Sequence, residues 1–122
     1  MRFNNDKPIF MQIADLLTRQ VISGELAPGS RLASARELAT NLEVNPNTAV
    51  RALQLLAESG VARSERGTGY FVDPEGQERA RQALRKVFFE TELPALFTTM
   101  DQLGIRLEEI QQHYGERPHE NQ

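Results

Sequence analysis

Ile9, Phe10, Ile13, Leu16, Leu17 and Val21 recur at three- and four-residue intervals, the spacing of one helix face. Pro8 fits the first turn of that helix, where a missing N–H costs nothing, and Gly24 marks its end. A turn-rich segment, Glu25-Leu26-Ala27-Pro28-Gly29-Ser30, follows. Ser34 and Glu37 then carry the signature of a capping box, the serine capping first-turn N–H groups and the glutamate reaching back. The spacing predicts a short helix from Ala35 to Leu42 with Leu38, Ala39 and Leu42 inward. After a tight turn at Glu43-Val44, Asn45-Pro46 supplies a second start signal, asparagine as cap and proline at the first helical position. This third helix is expected to reach about Ser59. Val50, Leu53, Leu56 and Ala57 fall on one face and Asn47, Thr48, Arg51 and Leu55 on the other.

Beyond Gly60 the period changes to two. Val61 to Glu65 and Tyr70 to Val72 read as short strands joined by the turn Arg66-Gly67-Thr68-Gly69, which makes a hairpin. Asp73-Pro74-Glu75-Gly76 is a boundary. From there the chain returns to helical spacing, with Ala80, Leu84, Val87, Phe88, Leu93, Leu96, Phe97, Met100 and Leu103 in one stripe. Pro94 should kink or interrupt this helix and Gly104 should end it. Leu107, Ile110 and Tyr114 mark a short last helix, with a loose polar tail expected from Gly115. The expected fold is mainly α with a small β-hairpin, residues 1–73 forming one domain and 74–122 a helical region.

Composition narrows the possibilities. The chain has 122 residues, 39% hydrophobic and 25% charged, which is globular rather than disordered. No cysteine is present, so disulfides, thiol chemistry and cysteine zinc sites are excluded. No apolar run exceeds three residues, which excludes a transmembrane helix and a secretory signal; a cytoplasmic protein is expected, with no membrane partner. Net charge is −3, a mild argument against nucleic acid. Yet residues 1–73 carry eight basic and eight acidic side chains, so the deficit lies entirely in residues 74–122, with six against nine. Local clustering decides DNA binding, and the sum does not.

Three helices, a three-residue turn between the second and third, and then a hairpin is the order of a winged helix-turn-helix. Such a fold inserts its recognition helix into the major groove N-terminus first. The residues there should be small and polar. Asn47 can bond adenine in bidentate fashion, and Thr48 can bond phosphate or touch a thymine methyl. Asn45 is foremost a cap. Arg51, one turn on, can reach phosphate or guanine. The helix N-terminus at Pro46 should draw phosphate to its free N–H groups, and Arg36 at the preceding helix is placed to do the same. At the hairpin tip Arg66 brings charge, Gly67 and Gly69 permit the turn and let the backbone approach a groove, and Arg66, Gly67, Thr68 and Gly69 together are the expected DNA contacts of the wing. If Arg31, Arg36, Arg51, Arg63 and Arg66 share a face, a few phosphates per copy are neutralised, which favours a dimer on two half-sites. The dimer residues would be Leu84, Val87, Phe88, Leu96, Met100 and Leu103, because so apolar a stripe cannot bury itself within 46 residues of helix. The alternative is a winged-helix protein-interaction module with no DNA role, motivated by the neutral first half and the acidic total.

Arg36-Glu37-Leu38-Ala39, Val44-Asn45-Pro46-Asn47-Thr48, Arg51-Ala52, Ser23 to Leu32 and the run Arg66 to Val72 together resemble the GntR family of bacterial transcription regulators, and more narrowly its YtrA subfamily. The likeness covers roughly residues 7–73. It implies a homodimeric repressor of a double-stranded DNA operator, with two C-terminal helices used for dimerisation. Three positions depart from the family pattern: Ala33 where proline is usual, Glu43 where glycine is common, and Leu55 where a polar residue is usual. A left-handed Glu43 would cost on the order of 1 kcal/mol.

No other chemistry competes. His113 and His119 are six apart, poor spacing for a helical metal pair. Phe88, Phe89 and Phe97 read as core or interface rather than as a ligand pocket. Glu90, Glu92, Glu108 and Glu109 read as a solvated face. Gly67-Thr68-Gly69 has no following Gly-Lys-Ser/Thr and opens no helix, so it is not a nucleotide-phosphate loop. No catalytic residue, metal site or cofactor is expected. A small-molecule effector is compatible with these features, and no residue pattern names one.

Overall fold

The computed structural model describes Phe3 and residues 5–118. Six helices and a hairpin follow in the order α1 (Ile9–Ser23), α2 (Ala35–Leu42), α3 (Pro46–Glu58), β1 (Ala62–Glu65), β2 (Gly69–Val72), α4 (Gly76–Val87), α5 (Leu93–Leu103) and α6 (Leu107–Glu116). The chain forms two compact units, one ending at Leu84 and the other beginning at Arg85. Among the described residues no helix is long and apolar enough to cross a membrane.

In the first unit the punctuation residues act as expected. Gly24 ends α1 in the left-handed region, with φ 89°. The Ser34 hydroxyl accepts from the Glu37 N–H at 3.1 Å, and the Glu37 carboxylate accepts from the Ser34 N–H at 2.8 Å. Glu43 ends α2 with φ 55° and is the one non-glycine residue with positive φ among the described residues. Its Cβ crowds the following carbonyl there, a cost glycine escapes. Glu43→Gly should therefore raise stability by about 0.5–1 kcal/mol, net of the entropy glycine loses on folding; a lower melting temperature would contradict this.

The core holds Ile13, Val21, Leu53, Leu56 and Val72, each essentially without solvent contact. Two expectations for its lining need correction. Val50 is exposed, and α3 instead buries Ala49 and Ala52 beside Leu53 and Leu56. The four fall on one stripe of a 3.6-residue helix, and alanine lets α3 approach both α1 and α2 closely. Ile9 is likewise exposed while Ala14 is buried. Leu55, assigned to the outer face, packs half-buried against the core.

The hairpin pairs Ala62 with Val72 and Glu65 with Gly69. Its sheet gains a third, unanticipated segment. The Leu32 N–H donates to the Tyr70 carbonyl and the Val72 N–H to the Ser30 carbonyl, each at 2.8 Å. This stretch is too short to show alternation, but it closes the free edge of β2. Helix α4 begins in the same unit. Ala80 lies fully buried in the core cluster, the Gln77 side-chain amide donates to the Ile22 carbonyl at 2.9 Å, and the Arg79 guanidinium reaches the Gly60 carbonyl at 3.1 Å and Asp73 at 3.2 Å. The compact unit thus extends past the boundary expected at Asp73.

In the second unit a π-helical turn, Phe88–Glu92, precedes Pro94. Pro94 cannot donate to the carbonyl four residues back, and its ring pushes against that carbonyl; a widened turn absorbs both effects. The Leu93 N–H accordingly bonds the Phe88 carbonyl five residues earlier. Gly104 ends α5 with φ 69°. Helix α6 continues through Gly115 to Glu116, so the loose tail expected from Gly115 is wrong by at least that turn. The Glu109 carboxylate explains the start of α6, accepting from the Arg106 N–H at 2.9 Å.

Candidate nucleic-acid interface

The opening of α3 stands at the surface. Asn45, Pro46, Asn47 and Arg51 are exposed and Thr48 is half-exposed. Asn45 caps the helix, its Oδ1 accepting from the Asn47 N–H at 2.8 Å. The Thr48 and Ala49 N–H groups donate to the Asn45 carbonyl at 2.9 and 3.2 Å. Pro46 has no N–H at all. The backbone donors expected to attract phosphate at this end are therefore already used. What α3 presents are side chains: the Asn47 amide, the Thr48 hydroxyl and the Arg51 guanidinium, with the helix dipole behind them. Val50, one turn in and exposed, adds an apolar contact surface that sequence spacing had assigned to the core.

The open backbone donors sit at α2 instead. The N–H groups of Ala35 and Arg36 bond nothing among the described residues. The Arg36 side chain is exposed and meets no carboxylate there. A phosphate at this helix start would find two amides and one guanidinium.

The wing tip carries Arg66, Gly67 and Thr68 between the strands, all exposed. Gly67 and Gly69 have φ of 77° and 121°, so the turn needs glycine at both positions. Thr68 closes the turn, its hydroxyl and N–H both donating to the Glu65 carbonyl. Arg66 has no partner among the described residues.

Arg31 has a part that sequence reasoning missed. Its Nε donates to the Thr68 carbonyl at 3.1 Å, and its guanidinium lies 3.7 Å from the Glu37 carboxylate. The wing tip and the first turn of α2 are thereby tied together. Among the described residues no hydrogen bond or ion pair joins the first turn of α3 to the wing tip. Arg63 is likewise engaged, 3.3 Å from Glu65. Of the five arginines considered together from the sequence, Arg36, Arg51 and Arg66 are the three that meet no carboxylate among the described residues. The signal for Arg31 lay in its place beside the Gly29 turn, but only the fold brings it to the wing.

The Glu37 carboxyl is held below its ordinary value, first by the Ser34 N–H, then by the Ser34 hydroxyl, with Arg31 adding a smaller effect. A lowered folded-state value stabilises the fold at every pH above the unfolded one, about 4.3, and the contribution fades as pH falls through the folded value. Wild type should exceed Glu37→Gln in stability at neutral pH, and the two should converge in acid below about pH 4.3. A gap independent of pH in chemical denaturation would contradict this.

In the second unit Val87, Phe88, Leu96 and Leu103 are exposed and Leu84 in the first is half-buried. Met100, expected among the same interface residues, is already buried within the single chain at 8% exposure. Phe89, Phe97, Leu107 and Tyr114 are exposed as well. His113 is exposed on α6, and His119 lies outside the described residues. Among the described residues no group of three His, Cys, Asp or Glu side chains could hold a metal ion.

Residues 10–72 match the model of the family described as bacterial regulatory proteins, gntR family. The chain is 35% identical over 109 residues to the HTH-type transcriptional regulator YhcF of Bacillus subtilis, covering 89% of this chain and 88% of that protein. It is 30% identical over 106 residues to the HTH-type transcriptional repressor YtrA of the same organism, covering 84% and 78%. Among solved structures, a GntR family transcriptional regulator from Listeria monocytogenes matches with a TM-score of 0.77 at 32% identity, covering 95% of this chain and 100% of that one. These relatives are named as transcription regulators, which favours a DNA-binding regulator over an interaction module without a DNA role. The exposed α3 start, the wing and this nearly full-length likeness lead to one assignment: the chain belongs to the GntR family, in its YtrA group, and is a DNA-binding winged helix-turn-helix transcription regulator.

Proposed function

We propose that this regulator is a cytoplasmic homodimeric repressor. Two copies of α3 enter successive major grooves of a pseudo-palindromic operator, about one helical turn apart. The observation that carries this reading is the exposed start of α3, where Asn47, Thr48 and Arg51 offer amide, hydroxyl and guanidinium groups with no carboxylate to consume them. Asn47 and Arg51 suit base edges, and Thr48 suits phosphate or a thymine methyl. Arg36, with the open amides of α2, and Arg66 on the wing suit phosphates, which position the protein without reading sequence. The domain division follows the same lines, the winged part binding DNA and the helical part pairing the copies. Repression is supported by the relative named a repressor, and pairing by the exposed apolar side chains from Val87 to Leu107.

Gel shift on the DNA upstream of the protein's own gene tests the reading. Arg51→Ala and Thr48→Ala should each weaken the complex by about 1–3 kcal/mol, and the complex should weaken steeply with added salt. Wild-type affinity in both variants would mean that α3 is not the reading element.

A further inference from the structure

The sequence assigned Phe10 to the core and Arg51 to DNA. In the folded chain the two meet. The Arg51 Cζ lies 4.0 Å from the centroid of the Phe10 ring, well inside the range of a cation–π contact. Phe10 is half-buried and packed against the core, so α1 holds the ring in place. An exposed arginine ordinarily samples many rotamers, and ordering it at the moment of binding costs affinity. Here the ring supplies that order beforehand.

The kind of partner matters. A carboxylate would occupy the in-plane N–H donors, as Glu37 and the Thr68 carbonyl do for Arg31. The ring contact uses no oxygen acceptor, and among the described residues the Arg51 guanidinium makes no hydrogen bond or ion pair, so its in-plane edge stays open. The edge is what pairs with a planar two-oxygen or oxygen–nitrogen acceptor, such as a phosphate or the O6/N7 edge of guanine. We propose that Phe10 is a positioning residue that preorganises Arg51 for a bidentate acceptor on the duplex. This rests on the docking of α3 proposed above. It puts an α1 residue, which need not touch DNA itself, into the recognition machinery.

The test uses the full chain and a duplex that the wild type selects from a random-sequence pool. Wild type, Phe10→Leu, Phe10→Tyr, Arg51→Ala and the double variant Phe10→Leu/Arg51→Ala are titrated against it. Arg51→Ala should weaken binding about tenfold or more, and Phe10→Leu about three- to tenfold. Phe10→Tyr, which keeps the ring face, should bind like wild type. The decisive comparison is the double variant: once Arg51 is gone, losing the ring should change affinity no further. Any general loosening from Phe10→Leu would persist in the Arg51→Ala background, so a full Phe10→Leu effect there overturns the proposal. Wild-type affinity for Phe10→Leu beside a weakened Arg51→Ala overturns it too. Wild-type affinity for Arg51→Ala removes the docking of α3 and this inference together. Under the proposal, Phe10→Leu either flattens the preference for guanine at one operator position, marking a base acceptor, or weakens all duplexes evenly, marking a phosphate.

Discussion

Replacing Phe97 with aspartate should break the proposed dimer into monomers and lower affinity for a two-half-site operator about a hundredfold or more. The side chain is 50% exposed in the single chain. Val87, Phe88, Phe89, Leu96 and Leu103 are exposed too, more apolar surface than single scattered residues would leave in water. Pairing two such faces removes the ring from water, and a carboxylate there would have to be desolvated without a partner. The penalty falls on assembly, because a residue so open contributes little to the fold of one copy. Each copy would then bind its half-site alone, without the effective concentration its partner provides. Sedimentation equilibrium and gel shift read the two effects. An unchanged dimer, or a monomer that binds the operator as tightly as wild type, would contradict the pairing proposed here.

Gly76→Ala should destabilise the winged unit by about 3 kcal/mol, the upper end of overpacking. A Cβ at Gly76 would fall 2.3 Å from the Val61 carbonyl oxygen. That obstacle is backbone, fixed by its neighbours on both sides: the Val61 N–H bonds the Leu56 carbonyl at 3.1 Å, and the Asp73 N–H bonds the Val61 carbonyl at 3.0 Å. No side chain can swing away to make room. The start of α4 would have to lift, withdrawing Ala80 from the core. Denaturant unfolding gives the measurement, and a loss below about 1 kcal/mol would show that the contact relaxes cheaply. Gly115, by contrast, meets nothing within 4 Å, so Gly115→Ala serves as the control inside α6 and should not destabilise the fold.

The sequence marked element starts and stops well because each rests on a local device. Ser34 with Glu37, Asn45 with Pro46, and the glycines at 24 and 104 act within a few residues of themselves, and no tertiary information is needed to recognise them. The faces of helices were less legible. Val50 and Ala49 are adjacent, and hydropathy alone favours valine as the buried one; close approach of α1 and α2 reverses that choice. Pro94 by itself predicts an interruption, but the π-helical form of the turn before it depends on how the flanking helix accommodates a missing donor.

The candidate site divides the same way. Asn47, Thr48 and Arg51 could be named from their place behind a helix start. That the backbone donors there are consumed by Asn45 follows from cap geometry, and only the structure moves the open amides to α2. The pairing of Arg31 with Thr68, thirty-seven residues away, and of Arg51 with Phe10 spans separations at which sequence spacing is silent. Long-range partners of flexible cations are fixed by the packing of whole elements, and no local pattern encodes them.

The absence of cysteine from the chain makes the central claim directly measurable. Asn47→Cys creates a unique thiol at the exposed start of α3, to which a DNA-cleaving iron chelate can be attached. If α3 enters the major groove, strand scission should cluster at two places, one in each operator half-site, about one helical turn apart. The same chelate attached through Glu58→Cys, exposed at the opposite end of α3, should leave those positions intact. Scission from position 58 with none from position 47 would contradict the docking of α3 in the major groove.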